Sequence, residues 1–335
     1  MRHSRRENIR PSRIYEVCTG KKMYCRIHFL NVGNGDCTII EHQTGKISVI
    51  DICNGNCSNM GLSLESNFNY QKDPTDSIEY IKDILVDKPI FRFILTHPDM
   101  DHMDGIKNLF ENFKVKEFWD TNHNKDLSND NFKKYEEDWM SYQEKRKSKS
   151  LKVLYLHSGK IQDDFTIISP SLKLEQDLWN QQVPNWNEIS YVILHEVFGR
   201  KILYCGDSED KAWEYILDSN LLEKISNIDI LFAPHHGRKT GGDKLNKYLK
   251  VLNPKLALFG NANSKDKNYQ AFYNEGIPIL TNNEAGNIVI NIQSDGKVCI
   301  KIDNDWNSLL SKSKHLKKLF NSKSNFCSCQ RFIDD

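Results

Sequence analysis

Short apolar runs alternate along the chain with turns rich in glycine, aspartate and histidine. Such runs, bounded by turn-prone residues, read as buried strands. Ile27-His28-Phe29-Leu30 runs into Asn31-Val32-Gly33-Asn34-Gly35-Asp36, and Val49-Ile50 ends at Asp51. Phe91-Arg92-Phe93-Ile94-Leu95 ends at Thr96, Ile202-Leu203-Tyr204 at Cys205-Gly206-Asp207, and the run from Ile228 to Phe232 at Ala233-Pro234-His235-His236-Gly237. Further strands are predicted at Leu151 to Tyr155, Phe165 to Ile168, Tyr191 to Glu196, Leu256 to Phe259, Ile277 to Leu280, Asn287 to Ile292 and Val298 to Ile302. Helical spacing appears between them. Ile78, Ile81 and Leu85 fall on one face of Asp76 to Val86, with Asp76 placed to cap the first turn. Gly105 to Phe113, Lys211 to Leu217 and Leu245 to Val251 also read as helices. Strands and helices alternating in two strand-rich halves predict a layered α/β domain.

The chemistry is concentrated at the strand ends. His97, Asp99, Asp101, His102 and Asp104 lie within eight residues, directly after a predicted strand. Loops at strand tips are where a rigid scaffold mounts catalytic groups. Imidazole nitrogens and carboxylate oxygens at this density are typical metal donors. Asp207, His235 and His236 arrive at the ends of other strands.

The ordered set N-V-G-N-G-D, V-I-D, T-H-P-D-M-D-H-M-D-G, Y-C-G-D and A-P-H-H-G resembles the metallo-β-lactamase superfamily. More narrowly it is similar to the branch typified by the hydrolase domain of the DNA-uptake protein ComEC, which shows H-P-D-x-D-H where most of the superfamily shows H-x-H-x-D-H. The resemblance runs from about Met23 to about Ile302. It implies a four-layer αββα sandwich holding one or two divalent ions, zinc or manganese. On that mapping His97 and Asp99 serve the first ion, and Asp101 and His102 the second. Asp207 bridges them, and His235 is the last ligand of the second, with His236 its less favoured substitute. Asp51 would hydrogen-bond a ligand histidine, Asp36 would sit in a tight turn near the ions, and Asn187 would line the site. The resemblance also brings departures. A third-motif histidine has no clear counterpart, since neither His157 nor His195 is well placed. Arg238 replaces a serine common after the His-His-Gly turn, and beside Lys239 it offers a guanidinium that could grip a phosphate.

Composition narrows the partners. The 335 residues carry a formal net charge of +1, so polyanion binding must come from a local patch. No stretch approaches the roughly 20 apolar residues of a spanning helix. No apolar segment follows the arginine-rich start, so a cytoplasmic protein is expected. Nine cysteines without a C-x-x-C pair suit buried free thiols at Cys25, Cys37, Cys205 and Cys299. Cys53 and Cys57 in a loop, and Cys327 and Cys329 in the tail, offer only a weak case for a metal or a disulfide.

Three regions follow: a basic arm over residues 1–22, a hydrolase-like domain over 23–305, and a lysine-rich tail over 306–335, expected as a surface helix and frayed end. An insert at about 122–152 carries Phe132, Tyr135, Trp139 and Tyr142 at spacings of three and four. It reads as an amphipathic helix that packs on the domain or lids the site, where Lys133, Lys134 and Lys145 would suit a nucleic-acid strand. The expected activity is a metal-dependent phosphodiesterase, a nuclease acting on DNA through a metal-activated water, with Asp101, Asp207 and Arg238 catalytic. Hydrolysis of a small phosphodiester or ester, or a metal-binding regulatory module with little activity, are the alternatives. A protein partner or homodimer stays open.

Overall fold

A computed structural model describes residues 23–55, 74–127, 132–239, 242–262, 266–321 and 324–329. The basic arm and Cys57 lie outside the described residues, as do the side chains of Phe132, Lys133 and Lys134.

Strands β1 (Tyr24–Phe29), β2 (Thr38–Glu41) and β3 (Ile47–Ile50) pair antiparallel in succession. The chain then crosses through α1 (Ser77–Leu85) to β4 (Ile90–Ile94), through α2 (Ile106–Asn112) to β5 (Val115–Trp119), and through α3 (Phe132–Arg146) to β6 (Lys152–Leu154). From β3 to β6 the pairing is parallel. The second sheet opens with β7 (Ile161–Gln162) and β8 (Phe165–Ser169), passes α4 (Leu172–Trp179), and continues antiparallel into β9 (Val192–Val197) and β10 (Arg200–Tyr204). It turns parallel through α5 (Asp210–Leu217), β11 (Ile230–Phe232), α6 (Gly242–Leu252), β12 (Leu256–Phe259), α7 (Tyr269–Asn274) and β13 (Ile279–Thr281). After the short α8 (Asn282–Ala285), β14 (Ile288–Gln293) returns to the first sheet beside β1, and β15 (Val298–Ile302) pairs with it. Helices α9 (Trp306–Lys312) and α10 (Lys314–Leu319) lead to β16 (Phe326–Ser328), parallel to β15. The sheets have nine and seven strands, ordered β16-β15-β14-β1-β2-β3-β4-β5-β6 and β13-β12-β11-β10-β9-β8-β7.

The period-two alternation of the strands decides the layers. Ile27, Ile40, Trp119, Ile193, Ile202, Ile230 and Ile290 point between the sheets and share one core. Their neighbours point outward. Ile39, Val49, Phe93 and Phe118 meet Ile78 and Ile81 of α1, Leu109 of α2, and Trp139 and Tyr142 of α3. On the far side Leu194, Leu203, Leu231 and Ala257 meet Trp213 of α5, Tyr248 and Leu252 of α6, and Phe272 of α7. The architecture is a four-layer αββα sandwich.

The amphipathic readings translate directly. Asp76 caps α1, its carboxylate accepting from the Ile78 and Glu79 amides at 2.9 and 3.1 Å. The insert's aromatic stripe becomes α3, with Trp139 and Tyr142 buried against the first sheet. The tail differs from a surface helix and frayed end. Trp306, Leu309, Leu316 and Phe326 are buried in the inter-sheet core.

Candidate metal centre

Crossovers through helices leave the parallel strands of both sheets with their carboxyl ends together, the edge at which open α/β sheets place ligands. β3 ends at Asp51, β4 at Thr96-His97, β10 at Gly206-Asp207 and β11 at Pro234-His235-His236. Backbone geometry at these ends is unusual. Asp51, His235 and His236 have φ of 56°, 50° and 55°, in the left-handed region that non-glycine residues seldom adopt. Such conformations cost about 1–3 kcal/mol each and persist where the surroundings over-determine them.

Three imidazoles are oriented in the same way. His102 Nδ1 lies 2.8 Å from Asp51 Oδ2, and His236 Nδ1 lies 3.1 Å from Asp36 Oδ1. Thr96 gives its one hydroxyl proton to Asp51 Oδ2 at 2.7 Å, so at 3.1 Å its oxygen accepts from His97 Nδ1. Each ring therefore carries its proton on Nδ1, with Nε2 left for another partner. All three Nε2 atoms are buried and have no hydrogen-bond partner, and neither has Asp207 Oδ1. Buried polar atoms are seldom left this way, and an ion is one of the ordinary explanations.

These atoms converge. Asp101, His102, Asp207 and His236 offer ligand atoms that all lie within 4.8 Å of one another. Asp207 Oδ1 is 3.2 Å from His102 Nε2, without hydrogen-bond alignment, and Oδ2 is 3.6 Å from His236 Nε2. The His97 and His102 rings are 4.2 Å apart, which sets His97 beside the cluster. The donor set of imidazole nitrogens and carboxylates fits a divalent transition ion, and Asp101, His102, Asp207 and His236 would hold it, with His97 adjacent.

Electrostatics follow the same pattern. Burial opposes charge on His102, but Asp207, Asp51 and Asp101 outweigh it and hold the ring well above its usual range. His236 is likewise disfavoured by burial and raised to about 10 by Asp207, Asp36 and Asp101. Asp207 is drawn well down, its burial overcome by His236 and His102. His97 is lowered, by burial first and then by His102. Protons and a metal ion compete for such donors.

The remaining expected residues divide. His235 is the exposed-side member of the pair. Its Nδ1 meets Glu209 Oε1 at 2.8 Å, and its Nε2 takes a hydrogen bond from Arg238 Nη1 at 3.0 Å while lying 3.4 Å from Asp207 Oδ2. The structure thus brings His236, rather than His235, to the four-residue cluster. Asp99 forms an ion pair with Lys125. Asn187 Nδ2 donates to Glu209 Oε1 at 3.2 Å, on the His235 side. Lys239 is exposed on the loop after Arg238. His157 is held by Glu175 at 2.8 Å. His195 forms a second His–Asp group with His42 and Asp164, and every ring nitrogen in it is engaged: His42 by Asp164 and Ser48, His195 by Asp164 and Tyr204.

Sequence reasoning gave no role to Thr96, Lys125 or Glu209. Thr96 stands directly before His97, and Glu209 two residues after Asp207, so proximity was an available signal. Lys125 gave none, while Ser190, whose hydroxyl accepts from the Asp207 amide at 3.2 Å, closes the N-x-x-S pattern that begins at Asn187.

No family model and no curated protein matches the sequence. Among solved structures, the chain is similar to Igni18, a metallo hydrolase from the archaeon Ignicoccus hospitalis, at 13% identity and TM-score 0.42, covering 76% of this chain and 94% of that one. It is similar to CmlA, a diiron beta-hydroxylase from Streptomyces venezuelae, at 11% identity and TM-score 0.36, covering 70% and 44%. It is also similar to a long-form RNase Z from yeast at 13% identity and TM-score 0.39, covering 73% and 38%. At such scores the layered architecture rests on this chain's own strand order and core, and the centre on its own donors.

Proposed function

We propose that this protein is a metal-dependent phosphodiesterase whose preferred substrate is DNA. The observation that carries the reading is the set of buried, unpartnered donor atoms on His97, His102, Asp207 and His236 at the carboxyl ends of parallel strands. A divalent ion held there supplies Lewis acidity and a hydrolytic nucleophile at neutral pH. Asp51, Asp36 and Thr96 orient the imidazoles through their Nδ1 atoms. Asp101 is half-buried and reaches the cluster from the loop, where it can accept a proton from an attacking water.

The phosphodiester assignment is supported by the cations around the centre. Arg238 reaches His235, Lys125 reaches Asp99, and Lys239 is exposed beside them. Lys267, whose backbone pairs with Arg238, is a buried lysine drawn down to about 8 by burial, with Arg238 adding to the effect. A guanidinium near the metal donors suits bidentate contact with a phosphate. Among the described residues no helix is long and apolar enough to cross a membrane. The buried free thiols Cys25, Cys37, Cys53 and Cys205 suit a reducing compartment such as the cytoplasm.

The test uses purified protein with supercoiled plasmid, linear duplex, single-stranded DNA, RNA and a chromogenic phosphodiester, each with manganese, zinc and magnesium. DNA cleavage that is lost in Asp207→Ala is the expected outcome. Turnover of the chromogenic ester alone would point to a small phosphodiester, and metal uptake with no turnover to a regulatory module.

A further inference from the structure

At the far edge of the first sheet, β15 and β16 run parallel with Cys299 directly opposite Cys327. Cys329 lies two residues beyond Cys327, so strand alternation carries it to the same face. That face is the outer one, because Val298, Ile300 and Phe326 point into the inter-sheet core. Cys299, Cys327 and Cys329 pack together with Val289, and all three thiols are free. Their sulfurs lie within 4.8 Å of one another, and Cys327 and Cys329 are 3.7 Å apart.

That spacing, an S–H···S contact between free thiols, also matches sulfurs that share an ion. A disulfide needs about 2.05 Å and would use only two of the three. Thiolates bound to one zinc at about 2.3 Å stand roughly 3.8 Å apart in a tetrahedron. Two polar residues of β14 flank the cluster. Gln293 Nε2 lies 3.7 Å from Cys299 Sγ, as a donor to a thiolate would. Asn291, in register with Cys299, is 4% exposed, and its Oδ1 has no hydrogen-bond partner. The other described cysteines, Cys25, Cys37, Cys53 and Cys205, are buried.

We propose that Cys299, Cys327 and Cys329 form a tri-thiolate site for a thiophilic d10 ion of the zinc class, separate from the His–Asp centre, which clips β16 to β15. Soft sulfur donors select such ions over manganese or magnesium. The clip would secure a three-residue edge strand whose Phe326 is 3% exposed in the core. Edge strands this short gain little from backbone pairing alone.

The test titrates reduced full-length protein with cobalt(II), which gives an intense sulfur charge-transfer absorption with thiolates and none with a nitrogen–oxygen site. The titration is run in wild type, in Asp207→Ala/His236→Ala, and in Cys327→Ser/Cys329→Ser, with circular dichroism confirming each fold. The expected result is a stoichiometric thiolate band in the first two proteins that zinc abolishes, and no band in the third. Zinc should also raise Tm and slow proteolysis of the C-terminal segment in the Asp207→Ala/His236→Ala protein. A folded, reduced protein without the band overturns the proposal, and so does a band that survives in Cys327→Ser/Cys329→Ser. Neither result bears on the His–Asp centre, which lacks sulfur.

Discussion

Asp51 accepts three hydrogen bonds, from the Thr96 amide, the Thr96 hydroxyl and His102 Nδ1. Asparagine keeps the size and tolerates the left-handed backbone, but it cannot accept all three. Asp51→Asn should weaken divalent-ion affinity by about 10–100-fold with the fold intact, measured by competition against a chromogenic chelator. An unchanged affinity would remove Asp51 from the orienting role. Lys125 makes the opposite prediction. Its ammonium occupies the Asp99 carboxylate that an ion would otherwise recruit. Lys125→Met should raise affinity for a second ion, visible as higher metal stoichiometry at equal free metal. If stoichiometry does not move, Asp99 is not a ligand held in reserve.

The insert helix reaches the end of the metal loop through the Asp138 carboxylate. Asp138 of α3 accepts from the Gly105 and Lys107 amides at 3.1 and 2.9 Å, so it caps α2 from another element. Gly105 cannot cap with a side chain of its own, and its φ is 106°. Losing such a cap costs about 0.5–2 kcal/mol. Asp138→Ala should lower stability by that amount in urea melts and slacken the loop from His97 to Asp104, read as faster amide exchange there. Equal exchange in both proteins would confine α3 to packing. Gly35 constrains the loop from the other side. Its φ is 147°, and a Cβ there would fall 2.2 Å from the Asp101 carbonyl oxygen. Gly35→Ala must therefore displace the loop that carries Asp101 and His102.

Across the molecule, acid should destabilise the fold through His123. This ring is 4% exposed and pulled from 6.5 to about 2, by burial first and then by Arg146, Lys125 and His97. Between those values the folded state binds fewer protons than the unfolded one. Its contribution is therefore full above pH 6.5 and is lost as pH falls toward 2. The neighbouring Asp120 works in the other sense. Burial raises it from 3.8 to about 6, against the pull of Arg146 and Tyr142, so its contribution is present below pH 3.8 and lost as pH rises through 6. The two cancel between pH 6 and 3.8, and below 3.8 only the histidine still differs between the folded and unfolded states, so stability should fall as pH drops from 3.8 toward 2. His123→Gln should flatten that limb in urea melts taken across the range. A limb of unchanged slope would assign acid sensitivity elsewhere.

Most strands, the capped helix α1, the aromatic face of α3 and the donor types at the strand tips were legible in the sequence, because each is set by local periodicity. Several elements were not read, β5 and α4 among them. β5 carries Lys116 and Glu117 among its five residues, which masks the apolar run, although Phe118 and Trp119 are fully buried. α4 follows Ser171, whose hydroxyl accepts from the Leu174 amide at 3.1 Å, a cap signal that was present. What only the tertiary structure decided is how distant segments meet. His236 joins the cluster because its Nδ1 finds Asp36, 200 positions earlier, while His235 is turned to Glu209 and Arg238. Asp99 is set by Lys125, α2 by Asp138, and the three thiols by a strand that follows two helices. A local pattern fixes which face a residue takes on its own element. Which partner waits there depends on how the sheets close, and that is decided by the packing of the whole chain.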